Sequence, residues 1–111
     1  MSFTSLLFRL FATHKPELLA DKIASRSRRA VWDRVSHRID ALTGAEARGY
    51  VRARAAAIVE VETDRLIAEE EGSAARHRMR IVRDANESVI RLVLEQARIS
   101  RRSAQLLRRA A

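Results

Sequence analysis

The sequence contains no cysteine, and its 111 residues include only three glycines and one proline. Without cysteine, the chain has no disulfide bond, no zinc–thiolate site and no thiol nucleophile. Scarce glycine and proline leave few places for turns, whereas alanine, arginine, leucine and glutamate, which favour helices, are plentiful. The composition therefore predicts an all-α protein, and the length predicts one helical domain over residues 1–111.

Aromatic residues are also few, and no apolar run reaches the ~20 residues that cross a bilayer. Three of the five aromatics lie in residues 2–13, a segment whose only charged residue is Arg9. Its apolar residues surround most of a helix, so we expect a short helix buried in the core or in a subunit interface. A membrane contact is the less favoured alternative, because the segment lacks the basic face of interfacial helices. The interface candidates are Phe3, Leu7, Phe8, Leu10 and Phe11.

Three longer helices are predicted after this segment. Pro16 suits the first position of a helix that we expect to reach residue 42. Thr43 and Glu46 form a capping-box pattern, in which each side chain accepts a hydrogen bond from the other residue's backbone N–H. That pattern predicts the start of a helix over residues 44–71. Gly49 lies inside this helix, and close approach of a neighbouring helix would be one reason for a glycine there.

The last two helices are predicted to form a coiled-coil-like hairpin over residues 45–109, with its turn at Gly72 and Ser73. The final helix, expected over residues 73–109, has an apolar stripe that includes Met79, Val89 and Leu107. In one continuous helix this stripe and that of residues 44–71 would face nearly opposite sides, since each residue turns the helix by about 100°. We therefore expect Gly72 to be the C-cap of one helix and Ser73 the N-cap of the next. The predicted fold is an antiparallel bundle of three long helices.

The net charge of +8 is distributed unevenly between the two arms of this hairpin. Residues 45–72 carry four bases and seven acids, and residues 73–111 carry ten bases and three acids. Folding the hairpin places acids beside arginines near the turn, and we expect Glu62 to pair with Arg80 or Arg83, or to set the register of an interface. It also concentrates arginines at the opposite end. These candidates for binding a polyanion are Arg48, Arg52, Arg54, Arg91, Arg98, Arg101, Arg102, Arg108 and Arg109.

Catalytic and cofactor patterns are not found in the sequence. It has no glycine-rich phosphate loop, no pair of histidines at metal-ligand spacing and no nucleophile–base arrangement. His37 follows Asp33 by four residues, which we interpret as a surface ion pair. We therefore expect a non-enzymatic protein with no catalytic, metal or cofactor-binding residues and no cofactor.

Clustered arginines can bind phosphates with little sequence preference. We expect a cytoplasmic helical adaptor or subunit that binds a polyanion, most plausibly nucleic acid within a larger complex. No aromatic residues are interleaved for base stacking, which weakens this hypothesis. The alternatives are a structural interaction protein, meeting an acidic protein or its own copies, and a peripheral membrane protein that uses residues 2–13.

Overall fold

A computed structural model describes residues 16–70 and 72–110, and these residues are helical apart from short connections. Three α-helices follow one another: α1 (Pro16–Ile39), α2 (Gly44–Glu69) and α3 (Arg78–Ala110). A short 3-10 helix, Ser73–His77, precedes α3. The described part of the chain contains no β-strand. The interface candidates of the N-terminal segment, and the short helix predicted for it, lie outside the described residues.

Cross-helix ion pairs give the direction of each helix. Arg78 pairs with Asp64 at 2.8 Å near the turn, and Arg48 reaches Glu87 at 3.0 Å further along, so α2 and α3 run antiparallel. Near the two ends of α1, Glu17 pairs with Arg80 and Asp40 with Arg101. Helices α1 and α3 therefore run parallel, and α2 lies antiparallel to both.

The core consists mainly of alanine, valine and isoleucine residues spaced four apart in every helix. Helix α1 buries residues 19, 23, 27, 31, 35 and 39, α2 buries 47, 51, 55, 59 and 63, and α3 buries 81, 85, 89, 93 and 97. Because four residues turn a helix by about 400°, each buried row advances by about 40° per step and winds around its helix. Two polar residues, Ser27 and Thr63, are fully buried because they occupy positions in these rows.

This winding explains two errors in the predicted stripe of the last helix. Met79 and Leu107 are 85% and 73% exposed, although their spacing from Val89 suggested a shared buried face. The buried row instead runs from Ile81 to Ala97, and its neighbours include Ile90. A stripe defined over a few turns therefore did not extrapolate to the ends of a 33-residue helix.

The start of α2 follows the predicted capping box. Thr43 is the N-cap in extended conformation, and its Oγ1 accepts the Glu46 N–H at 3.3 Å. The Glu46 carboxylate accepts the Thr43 N–H at 3.0 Å. Helix α1 ends at Ile39, three residues before the predicted residue 42, because the chain must turn and extend before this cap.

The connection between α2 and α3 is longer than a two-residue turn. Helix α2 ends at Glu69, with Glu70 as its extended C-cap, so Gly72 does not cap it directly. Gly72 has φ 132° and ψ −147°, a conformation essentially restricted to glycine, and it precedes the 3-10 helix. Ser73 is therefore the first residue of that 3-10 helix. The prediction that Ser73 is the N-cap of the last α-helix is wrong.

Two further expectations about α2 are wrong. A Cβ atom added to Gly49 would meet nothing within 4 Å, so no neighbouring helix requires glycine there. Glu62 accepts a hydrogen bond from Arg65 of its own helix at 2.9 Å, and it does not pair with Arg80 or Arg83. The i,i+3 spacing makes Arg65 the nearest available cation.

Candidate polyanion-binding groove

Two adjoining depressions lie between the start of α2 and the C-terminal half of α3, far from the α2–α3 connection. Their volumes are about 390 and 270 Å³, and both are lined by Leu94 and Arg98. We call the pair the basic groove. Its other lining residues are Gly44, Ala47, Arg48, Arg91, Glu95, Arg101, Arg102 and Gln105.

The groove follows from local helix geometry and from small residues on α2. Arg91, Leu94, Arg98 and Gln105 recur at spacings of three, four and seven residues, which places them along one side of α3. On α2, the capping box orients the first turn, where Gly44 and Ala47 present almost no side-chain volume. The hollow is therefore bounded by arginine side chains opposite a nearly bare helix surface.

Five arginines line the basic groove, and Glu95 is the only acid among its lining residues. Arg98 donates to Glu95 along α3. This hydrogen bond lowers the pKa of Glu95 below its usual value, and Arg102 adds to the effect through its charge. The same bond raises the pKa of Arg98. Both shifts favour the charged forms of Arg98 and Glu95.

Acids outside the groove partly compensate its arginines. The Glu87 carboxylate forms ion pairs with Arg48, at 3.0 Å, and with Arg52, at 2.9 Å. Arg101 lies 3.4 Å from Asp40, at the end of α1. The sequence-based prediction did not place Glu87 or Asp40 beside these arginines, so it overestimated the excess of positive charge at this end.

The pairs that involve groove arginines are all exposed to solvent. The side chains of Arg48 and Arg98 are 51% and 69% exposed, and exposed ion pairs contribute little to folding. Their guanidinium groups can therefore exchange a carboxylate for a phosphate at small cost. Within the described part of the chain, Arg91 and Arg102 have no carboxylate at ion-pair distance.

The structure separates the nine predicted arginines into two sets. Arg48, Arg91, Arg98, Arg101 and Arg102 meet in the basic groove. The others lie outside its lining: Arg52 pairs with Glu87, and the guanidinium of Arg54 stacks over Tyr50 at 4.9 Å. Arg108 and Arg109 lie further along α3, near its C-terminal end.

Several residues at this site were not singled out in the sequence. Leu94 and Gln105 share the groove side of α3, and their spacing from Arg98 could have identified them. Asp40 could not be found in this way, because its position depends on the parallel packing of α1 against α3.

No family model, curated protein or solved structure matches this chain. None of the described helices is both long and apolar enough to span a membrane. Over the same residues, no group of three or more His, Asp or Glu side chains could hold a metal ion. Fold and site together define a small helical protein with an arginine-lined groove.

Proposed function

We propose that this protein is a non-enzymatic helical subunit that binds a polyanion, namely nucleic acid, in the basic groove. The observation that supports the proposal is the convergence of five arginines on two joined depressions that contain one carboxylate. Each guanidinium can donate two hydrogen bonds to a phosphate, and no base-specific contact is required. We expect sequence-tolerant binding that weakens steeply as salt rises.

The test replaces Arg48 and Arg91, two arginines that line the groove. Labelled mixed-sequence RNA and DNA are titrated with wild-type protein and with Arg48→Gln/Arg91→Gln, and fluorescence anisotropy is measured from low to moderate salt. If both residues contact phosphates, the slope of log affinity against log salt falls by about two. Affinity at low salt falls with it.

The matched control is Arg76→Gln/Arg83→Gln, which removes the same charge from exposed positions near the α2–α3 connection. Both double variants reduce the net charge equally, so long-range attraction changes by the same amount. We expect the control to keep most of its affinity. Equal losses in the two variants would remove the groove from the proposal, and no binding to RNA or DNA at low salt would end it.

We also propose that the protein acts as an oligomer or as one subunit of a larger complex. The support is its thin core, in which alanines such as Ala55, Ala85 and Ala97 occupy fully buried positions. Alanine buries little apolar area, so a partner would add burial that the chain lacks alone. Light scattering over a range of protein concentrations should detect species larger than 12.6 kDa; a monomer at all concentrations contradicts self-association.

A further inference from the structure

The end of α3 has an unusual surface. Residues 98–110, which we call the C-terminal overhang, are exposed without exception. They extend about 20 Å along the helix axis past Ala97, the last buried residue. This segment contains five arginines and no acidic residue.

The overhang is strongly amphipathic. At about 100° per residue, its five arginines occupy an arc of about 120°. Ile99, Leu106 and Leu107 fall within a separate arc of about 100°. These three side chains are 57%, 60% and 73% exposed. Such a division of charge and apolar surface is typical of helices that lie in a membrane interface.

The apolar arc faces away from the rest of the bundle. Ile99 lies about 160° around the helix from Ala97, which packs into the core. On the opposite side of the overhang, Arg101 reaches back to Asp40 of α1. An extended surface could therefore cover Ile99 and Leu106 without displacing α1 or α2.

Charge decides between the candidate occupants of this face. A second overhang would bring five arginines against five others with no acid between them. At the end of another copy that carries most of its acids, Glu62, Asp64 and Glu69 are already paired with arginines of that copy. Nucleic acid offers phosphates but no apolar phase that would cover Ile99 and Leu106.

We propose that the C-terminal overhang binds the surface of an anionic lipid bilayer, with Ile99, Leu106 and Leu107 among the upper acyl chains and its arginines at the headgroups. Arginine stems can lie along the apolar region while their guanidinium groups remain at phosphate level. Each arginine near an anionic surface adds to the electrostatic attraction. Arg98, Arg101 and Arg102 also line the basic groove, whereas Ile99, Leu106 and Leu107 lie outside its lining. The inference does not rest on the proposed function.

The first test is flotation of the full chain with vesicles. Equal parts of phosphatidylglycerol and phosphatidylcholine supply the anionic surface, and pure phosphatidylcholine is the comparison. We expect flotation with the anionic vesicles alone. The variant Ile99→Ser/Leu106→Ser/Leu107→Ser should lower vesicle affinity by about tenfold or more, because it removes the buried apolar contribution. Its helix content is checked by circular dichroism.

A matched control replaces three equally exposed apolar residues elsewhere. Leu18→Ser/Val61→Ser/Met79→Ser alters side chains that are 56%, 55% and 85% exposed, outside the overhang. This variant should float like the wild type. A second variant, Arg108→Gln/Arg109→Gln, should weaken vesicle binding and leave nucleic-acid affinity nearly unchanged, because neither residue lines the groove.

Three outcomes overturn the inference: no flotation on anionic vesicles, unchanged flotation of the overhang serine variant, or flotation that depends only on residues 1–13. Failure of the polyanion proposal would look different. In that case, Arg48→Gln/Arg91→Gln would bind nucleic acid as the wild type does, and vesicle binding would still be lowered by the substitutions in the overhang. The two sets of variants share no substituted position.

Discussion

Asp64 and Arg78 form a two-point ion pair that joins α2 to the first residue of α3. Arg78 Nε lies 2.8 Å from one carboxylate oxygen of Asp64, and a terminal guanidinium nitrogen lies 3.2 Å from the other. The hydrogen bond from Arg78 lowers the pKa of Asp64 below its usual value. The contact between the two helices at this point therefore depends on the ionised form of the Asp64 carboxyl group.

This linkage predicts how stability depends on pH. A carboxyl group with a lowered folded-state pKa stabilises the fold fully above its unfolded pKa, about 4. That contribution is lost as pH falls through the folded-state pKa. Asp64→Asn should therefore lower the melting temperature slightly at pH 7, and the difference should disappear in acid and shrink in high salt. Thermal melts of the wild type and of Asp64→Asn from pH 7 to 2 measure the difference in melting temperature. A difference that persists at pH 2 contradicts the pairing.

Opposite effects are predicted for the same substitution at two glycines. Gly72→Ala places a side chain at φ 132° and should cost about 1–3 kcal/mol of unfolding free energy. Gly49→Ala replaces an exposed helical glycine whose added Cβ meets no atom within 4 Å, so it should gain about 0.5–1 kcal/mol. Urea denaturation of both variants compares them; loss of stability in Gly49→Ala would indicate a partner helix at that face.

Thr43→Ala removes the hydroxyl that accepts the Glu46 N–H in the capping box. We expect a loss of about 1 kcal/mol, because this backbone donor at the start of α2 loses its side-chain acceptor. Ser100→Ala, at an exposed position inside α3, is the control and should leave stability nearly unchanged. Equal effects of the two substitutions in chemical denaturation would mean that the cap contributes nothing specific.

Ser27 is fully buried, and its hydroxyl has no hydrogen-bond partner among the described residues. An unsatisfied buried polar group is costly, so Ser27→Ala should leave stability unchanged or raise it by up to about 1 kcal/mol. One turn earlier, Ile23→Ala leaves a cavity in the same row and should cost about 2–5 kcal/mol. A clear loss in Ser27→Ala would show that the hydroxyl is satisfied in solution.

Local signals in the sequence predicted the helices well. Thr43 and Glu46 satisfy each other's backbone donors within four residues, so the start of α2 needed no tertiary information. The break near Gly72 was predicted for a similar reason, since apolar positions on either side of it cannot share one face of a continuous helix. The details of the connection differed, because a 3-10 helix occupies residues that were assigned to α3.

The site was predicted less completely. Five of the nine candidate arginines line one groove, because helical spacing places Arg91, Arg98 and Arg102 near one another. Arg54 lies over Tyr50 instead, which precedes it by four residues on the same helix. Spacing within one helix cannot distinguish a groove-lining arginine from one that stacks on an outer face.

By itself, the sequence determined helix type, the capped start of α2, the reversal near Gly72 and the enrichment of arginine at one end. These features depend on interactions within a few residues or on total charge. Tertiary structure decided which row each helix buries and which acids reach the arginines. Asp40 meets Arg101 only because α1 lies parallel to α3, and Ile99 and Leu106 stay exposed because α3 extends past Ala97, its last buried residue. Both features depend on how α3 packs against the other helices, so the periodicity of a single helix could not predict them.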